Sequence, residues 1–275
     1  MNISGKTTIT GIFGYPIEHT LSPAMQNAAF EATGLDYCYV PFLVHPDGLE
    51  NAVKAIRSMN IRGINITVPH KEKVMQFLDE IREEALFIGA VNTIVNTDDR
   101  LIGFNTDGRG FMKSLDESGI SVKDKDILII GAGGAARAAG YYLCMEARSL
   151  TLYGRTQSKV ERLAGDLRKV GDVVSTIDNL SDIKRFHMII NATPLGLKPD
   201  DPLPFDANIL GKEQIVCDLI YKNTRLLKEA SEKGCSIVNG LGMLLWQGAL
   251  AFELWTGKIP PIDVMRSVLE KSTYY

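Results

Sequence analysis

The sequence is poor in the residues and patterns that hold a chain together by disulfides or metals. Its four cysteines, Cys38, Cys144, Cys217 and Cys235, stand far apart with no C-x-x-C pair. That excludes a disulfide scaffold or a cysteine zinc site and points to buried or free thiols in a reducing compartment. The four histidines form no cluster with Asp or Glu at ligand spacing, so no metal is expected. No serine or cysteine sits in a nucleophile elbow. Charge of one sign is also scarce: the formal net charge is −3, which gives no electrostatic case for nucleic acid or an anionic membrane. The N-terminus, MNISGKTTITGIFGYP, lacks a signal-peptide pattern. The most apolar run, Leu241 to Trp255, is shorter than the roughly 20 residues of a spanning helix and contains Gln247 and Glu253. The expectation is a cytoplasmic protein, monomer or homodimer, with a small-molecule substrate as partner. At 275 residues the chain is long enough for two domains.

What is present centres on Asp126 to Gly140, DILIIGAGGAARAAG. Ile127 to Ile130 is a short apolar run, as for a strand buried on both faces. Gly131, Gly133 and Gly134 interrupt it, and Ala135, Ala136, Ala138 and Ala139 open a helix able to pack closely. Gly131 permits a tight turn, Gly133 lets the backbone approach a pyrophosphate, and Ala136 lets helix lie against strand. The unpaired N–H groups of the helix start face the anion. A glycine turn alone is a weak signal, but this one has its strand and its helix. Ser149 to Tyr153 then reads as the second strand of a βαβ unit. An NAD site puts Asp or Glu at the end of that strand; here it ends in Gly154, Arg155 and Thr156, with Lys159 one turn on. An acid repels a 2′-phosphate and an arginine pairs with it, so NADP(H) is expected over NAD(H). Either cation alone would pass for an ordinary solvated face.

Taken in order, Thr8 to Phe13 predicts a first strand. Ser22 followed by Pro23 predicts a helix start, with Ser22 as capping side chain and the helix running to Ala32. Strands are expected at Tyr37–Leu43 and Ile61–Val68, helices at Leu49–Met59 and, in one or two pieces, over Lys71–Phe87. Val91–Asn96 and Leu101–Phe104 flank Asp98-Asp99, a hairpin turn. Asp107 to Glu117 is a helix that carries the chain into the nucleotide domain, whose later strands fall near Val173–Thr176, Met188–Asn191, Ile215–Leu219 and Ser236–Val238. A helix from about Gly242 returns. The fold class expected is α/β: an N-terminal α/β substrate domain with a mostly parallel sheet, residues 1–106 plus 240–275, and a Rossmann-type domain, residues 107–239, with a cleft between them.

The strand-end loops of the first domain are dense in polar side chains: Thr20 and Ser22; Asn65, Thr67, His70 and Lys71; Asn92 and Thr93; Asn105, Thr106 and Asp107. Ligands of open α/β sheets bind at the carboxyl ends of strands, and such loops suit a small polyhydroxylated molecule. The alternative is that these residues cap helices and turns. Lys71 and Asp107 are the expected catalytic pair. A carbonyl receiving a hydride becomes an alkoxide and needs a proton, which a lysine beside a carboxylate can supply. Taken singly, Lys71 reads as a surface lysine. His19 and His70 lie in the same loops as weaker acid/base candidates.

In sequence the chain resembles the shikimate dehydrogenase family over nearly its whole length. The motifs are Gly14-Tyr15-Pro16-Ile17 through Ser22-Pro23, Asn65-Ile66-Thr67-Val68-Pro69 with Lys71-Glu72, Gly89-Ala90-Val91-Asn92-Thr93, and Gly103-Phe104-Asn105-Thr106-Asp107. They continue with Gly131-Ala132-Gly133-Gly134-Ala135, Arg155-Thr156, Asn191-Ala192-Thr193-Pro194-Leu195-Gly196, and Gly240-Leu241-Gly242-Met243-Leu244 through Gln247. The resemblance implies reversible NADPH-dependent reduction of 3-dehydroshikimate to shikimate on the route to aromatic amino acids. It implies Lys71 as acid/base and Asp107 as its partner, also touching substrate. Thr20, Ser22 and Tyr221 would hold the substrate carboxylate, and Asn65, Thr67, Asn92 and Gln247 the ring hydroxyls. The glycine loop, Gly131 to Ala135, would take the pyrophosphate; Gly154, Arg155, Thr156 and Lys159 the adenosine 2′-phosphate end; and Thr193, Leu219, Gly240 and Met243 the nicotinamide end. The chain departs from the family pattern at Thr20 (usually serine), at Gly154 (commonly asparagine) and after Tyr221, where Lys222-Asn223-Thr224 lacks a frequent proline. The rivals are a quinate/shikimate dehydrogenase of quinate metabolism, a non-catalytic NADP(H)-binding protein, and a methyltransferase; the last would want an acid near Gly154 or Arg155.

Overall fold

Alternation of β-branched runs with amphipathic stretches builds two sheets, seen in a computed structural model that describes residues 2–273. The first half contains β1 (Thr8–Gly14), α1 (Ser22–Ala32), β2 (Tyr37–Leu43), α2 (Leu49–Ser58), β3 (Gly63–Ile66), β4 (Glu80–Ile81), α3 (Glu83–Ile88), β5 (Thr93–Thr97) and β6 (Arg100–Phe104). These strands form a six-stranded sheet in the order β2-β1-β3-β5-β6-β4. β5 alone runs against its neighbours β3 and β6, so the sheet is mostly parallel. Asp98 and Asp99 take φ of 49° and 63° in the β5–β6 turn, the left-handed pair that a two-residue hairpin needs to match strand twist. One face of the sheet closes over Ile64, Ile66, Ile94 and Leu101 together with Leu49, Val53 and Ile56, one stripe of α2.

Two expectations are corrected here. Ser22 does not cap α1: it is the first helical residue, the N-cap is Leu21, and no side chain caps the helix. The Ser22 N–H instead meets Thr20 Oγ1 at 3.3 Å, and the Ser22 hydroxyl is buried elsewhere. The stretch 71–87 is not a helix in two pieces. It is a 3-10 turn at Lys73–Phe77, then β4, then α3. The apolar period there is real, but the free edge of β6 captures 79–82: the Asp79 and Arg82 N–H groups bond the Leu101 and Gly103 carbonyls at 3.0 and 2.9 Å. An unpaired strand edge gives more backbone hydrogen bonds than one isolated helical turn.

The second half contains α4 (Asp107–Glu117), β7 (Asp126–Ile130), α5 (Gly134–Glu146), β8 (Ser149–Tyr153), α6 (Gln157–Leu167), β9 (Val174–Thr176), β10 (Met188–Asn191), β11 (Ile215–Asp218), α7 (Arg225–Glu232), β12 (Ser236–Val238), α8 (Leu241–Thr256) and α9 (Ile262–Thr273). Its sheet is all parallel in the order β12-β11-β10-β7-β8-β9. That is the doubly wound Rossmann order, with its switch point between β7 and β10. Leu128, Ile130, Ile189 and Val216 form a core with Leu226 and Leu227 of α7, as strands covered on both faces require. The chain divides into two compact units, Met1–Thr106 with Gln247–Tyr275, and Asp107–Trp246. All four cysteines are buried and free. Among the described residues no helix is long and apolar enough to cross a membrane.

Candidate active site

The reversed strand β5 decides what gathers at one end of the first sheet. β1, β3 and β6 finish there, and β5 starts there, because Asn65 lies opposite Thr93 and Thr93 opposite Phe104. The polar side chains so collected are buried and satisfy one another. Tyr39 of β2 donates its phenol proton to Asn65 Oδ1 at 2.8 Å. Asn65 Nδ2 donates to the Asn92 carbonyl at 3.1 Å and to Thr93 Oγ1 at 3.0 Å. Thr93 Oγ1 donates to Asn92 Oδ1 at 3.0 Å, which also accepts the Thr106 N–H at 2.8 Å. Asn92 Nδ2 donates to Thr106 Oγ1 at 2.9 Å, and Thr106 Oγ1 donates to the Gln247 carbonyl at 3.1 Å.

Ser22 joins this chain through the same phenol. Burial pushes the Tyr39 hydroxyl far above the usual tyrosine range, and a hydrogen bond with the Ser22 side chain opposes that shift. The phenol's one proton goes to Asn65, so Ser22 is the donor in its pair. Thr20 is half-buried beside it, and its hydroxyl oxygen accepts the Ser22 N–H.

The loops are tied down from several sides. The Tyr15 N–H bonds the Val68 carbonyl at 3.0 Å, the Thr67 N–H bonds Phe13 at 3.0 Å, and the Ile66 N–H bonds Asn92 at 2.8 Å. Tyr15–Pro16 and Val68–Pro69 are cis peptides. Lys71 is half-buried, and its carbonyl accepts the Val91 N–H at 2.8 Å, which holds its backbone beside Asn92. Asn105 Nδ2 bonds the Ala90 carbonyl at 2.9 Å. His70 is 1% exposed with Nε2 2.8 Å from the Val44 carbonyl, a structural role; His19 is exposed. Ser22, Asn65, Asn92 and Gln247 thus share one network, and Thr20, Thr67 and Lys71 border it. Asp107, half-buried, opens α4, and Tyr221, also half-buried, follows β11; both belong to the second unit.

In that second unit the glycine loop lies at the switch point. Gly131 has φ +121°, and a Cβ there would stand 2.9 Å from the Ala192 carbonyl oxygen, so glycine is required twice over. Gly133 and Gly134 face open space: a Cβ on either meets nothing within 4 Å. No side chain caps α5 at Gly133, which leaves the first-turn N–H groups beside Ala132 and Ala135 to a ligand. Past β8, Arg155, Thr156 and Lys159 are exposed, and neither cation forms an ion pair with a described residue. Lys159 sits in the first turn of α6, which carries no acid; a cation there opposes the helix dipole unless an anion joins it. Gly154 leaves room that α6 uses, since a Cβ would meet Val160 Cγ2 at 3.0 Å. Ala192–Thr193 and Leu219 follow β10 and β11, and Gly240 is pressed on Leu219, whose carbonyl oxygen lies 2.3 Å from where a Cβ would stand. Met243 is half-buried in the first turn of α8. The open cradle, the uncapped helix and two unpaired cations fit a dinucleotide bearing an extra phosphate.

Sequence reasoning missed Tyr39 as part of the first cluster, and Asn191, Asp218 and Thr224 as a second buried cluster. The available signal was polarity in strands that otherwise read as apolar: a tyrosine in YCYVPFL and an aspartate closing IVCD.

Three family descriptions match the chain: "Shikimate dehydrogenase substrate binding domain" over residues 12–94, "Shikimate / quinate 5-dehydrogenase" over 114–195, and "Shikimate 5'-dehydrogenase C-terminal domain" over 240–270. The chain is 47% identical over 281 residues to the shikimate dehydrogenase (NADP(+)) of Desulforamulus reducens, covering 98% of this chain and 97% of the relative. A crystal structure of a shikimate dehydrogenase in complex with NADP+ superposes with a TM-score of 0.92 at 41% identity, covering 99% of this chain and 98% of that one. The Thermus thermophilus shikimate 5-dehydrogenase, in complex with NADP(H) and shikimate, gives 0.90 at 36% identity over 97% of this chain and 100% of its own.

Proposed function

The chain belongs to the shikimate dehydrogenase family, and from that premise we propose that it catalyses the reversible NADPH-dependent reduction of 3-dehydroshikimate to shikimate in aromatic amino-acid biosynthesis. The observation that carries the reading is the buried chain of hydroxyls and amides from Ser22 through Tyr39, Asn65, Thr93 and Asn92 to Thr106. Neutral donors and acceptors held in fixed orientation suit a polyhydroxylated ring and bury no lone charge.

In this reading the unit containing β1–β6 binds substrate and the unit containing β7–β12 binds NADP. Thr20, Ser22 and Tyr221 hold the carboxylate; Asn65, Thr67, Asn92 and Gln247 hold the ring hydroxyls. NADPH, when bound, supplies the hydride that makes the new C–H bond. The Lys71 ammonium gives a proton to the carbonyl oxygen as it becomes an alcohol, and takes it back in the reverse direction. Asp107 orients that ammonium and accepts from a neighbouring substrate hydroxyl. Gly131 to Ala135 receive the pyrophosphate; Arg155, Thr156 and Lys159 the 2′-phosphate, beside Gly154; and Thr193, Leu219, Gly240 and Met243 border the nicotinamide. Four buried free thiols favour a reducing, cytoplasmic setting, and a monomer or homodimer is the assembly expected on gel filtration.

The test is absorbance at the NADPH band with shikimate, quinate and 3-dehydroshikimate in turn. Shikimate and 3-dehydroshikimate should turn over; quinate alone as substrate refutes the assignment. Lys71→Ala should lower kcat by about 10²–10⁴-fold, the usual worth of a positioned acid/base, with NADPH affinity nearly intact. Wild-type turnover in that variant means that the assigned acid is wrong.

A further inference from the structure

We infer that Asp218 is a positioning residue for the nicotinamide half of the NADP site, acting through Asn191 on the loop that carries Thr193. The inference rests on the NADP reading above. Asp218 closes β11 and is 1% exposed. Among the described residues its carboxylate receives three donors and no cation: Asn191 Nδ2 at 3.1 Å and the Ile220 N–H at 3.2 Å on Oδ1, and the Thr224 hydroxyl at 2.7 Å on Oδ2. Burial raises its proton affinity, and the three hydrogen bonds oppose that rise. A carboxylate held at such cost among apolar strands asks for a return.

The return is the orientation of Asn191. An amide can turn over, exchanging its oxygen and nitrogen, unless a neighbour forbids it. An ionised carboxylate only accepts, so Asn191 presents Nδ2 to Asp218, and the same Nδ2 also donates to the Leu195 carbonyl at 3.1 Å. Its Oδ1 is thereby turned to the other side, where it accepts both the Thr193 N–H at 3.1 Å and the Thr193 hydroxyl at 2.7 Å. Thr193 Oγ1 in turn accepts the Leu195 N–H at 3.2 Å. The same carboxylate holds Ile220 and Thr224, so the loops after β10 and β11 are fixed from one point. Both lie on the β10 side of the switch point, next to Gly131, which packs on Ala192. Arg155 and Lys159 lie across it, after β8. Asp218 therefore acts on one half of a dinucleotide laid across this edge and leaves the other half untouched.

Asp218→Ala removes the acceptor that Asn191 Nδ2, the Ile220 N–H and the Thr224 hydroxyl share. Asn191 Nδ2 then keeps only the Leu195 carbonyl, and the amide whose Oδ1 holds Thr193 loses half of its anchor. Calorimetric titration with NADP+ and with 2′,5′-ADP, which carries the 2′-phosphate and no nicotinamide, separates the two halves. The expected result is an NADP+ affinity lowered about tenfold or more, with 2′,5′-ADP affinity within twofold of wild type. Equal loss for both ligands, or no loss for either, overturns the proposal. Asn191→Ala removes the relay and leaves Asp218 its bonds to Ile220 and Thr224; it should give the same selective loss, and it carries the test if Asp218→Ala cannot be purified folded. A wild-type protein that binds neither ligand overturns the NADP reading itself and this inference with it.

Discussion

Arg155→Ala tests the proposed origin of cofactor choice. Arg155 is exposed and forms no ion pair with a described residue, so truncating it leaves no buried partner behind and should not change folding stability. Opposite a 2′-phosphate of about −1.5 to −2 charge, a guanidinium about 4 Å away gains roughly 1 kcal/mol per unit charge in bulk water and about 4 kcal/mol at a surface-like dielectric. Solvent exposure keeps the net value near that of a hydrogen bond to a charged group, about 1.5–3 kcal/mol. At 1.4 kcal/mol per factor of ten, that is about a 10–150-fold loss in kcat/KM for NADPH. NADH lacks the phosphate, so its kcat/KM should stay within about twofold by the same reasoning. The assay is initial-rate kinetics with both cofactors at low and high salt. Screening at a Debye length of about 10 Å at 0.1 M and about 3 Å at 1 M should narrow the wild-type preference as salt rises, and the variant's less. A loss shared equally by NADPH and NADH refutes the charge argument, as does a loss below twofold.

Two further perturbations probe what holds the sites. Tyr39→Phe removes the donor to Asn65 Oδ1 in a fully buried position; an unpaired buried acceptor costs about 1–3 kcal/mol, so denaturant unfolding should show a loss of that order, and an unchanged midpoint would mean that water replaces the phenol. Asp126, at the start of β7, is held by Arg148 first and by Ser149 and His187, which lower its carboxyl to about 2. Its folded value lies below the unfolded one near 3.8, so its stabilisation is present in full above the unfolded value and is lost as pH falls through about 2. Asp126→Asn should therefore cost about 1 kcal/mol at neutral pH, discounted for solvent screening, and the gap from wild type should close in acid; a gap independent of pH speaks against the ion pair.

The Rossmann half was the more legible in sequence because its strands are buried on both faces and stand out as continuous runs: Ile127–Ile130 and Met188–Asn191 appear where their composition puts them. The hairpin at Asp98-Asp99 was equally readable, since only a few residues accept left-handed backbone. What failed depended on tertiary partners. Residues 79–82 lie within a stretch, 71–87, that reads as helical, but the edge of β6 takes them as a strand. Ser22 has a capping side chain, but Tyr39 claims it. The loops of the candidate site could be listed from strand ends, but the partner of each amide could not, because those pairings join residues as distant as Asn65 and Thr93 across an antiparallel register. α9 was not anticipated: its buried residues, Met265 and Leu269, are too sparse to stand out before α1 is known to cover them.

Because β5 runs backwards, the Asp98-Asp99 tip is at the far rim of the sheet from Asn92 and Thr106. Five strand residues at about 3.4 Å each put roughly 17 Å between them. Arg57 holds the tip by a 2.9 Å bond to the Asp99 carbonyl. A fluorophore or an immobilisation handle grafted on the exposed Asp98 side chain would therefore ride on a well-anchored point remote from Asn92 and Thr106. Labelled molecules could be watched without disturbing the buried network of amides and hydroxyls.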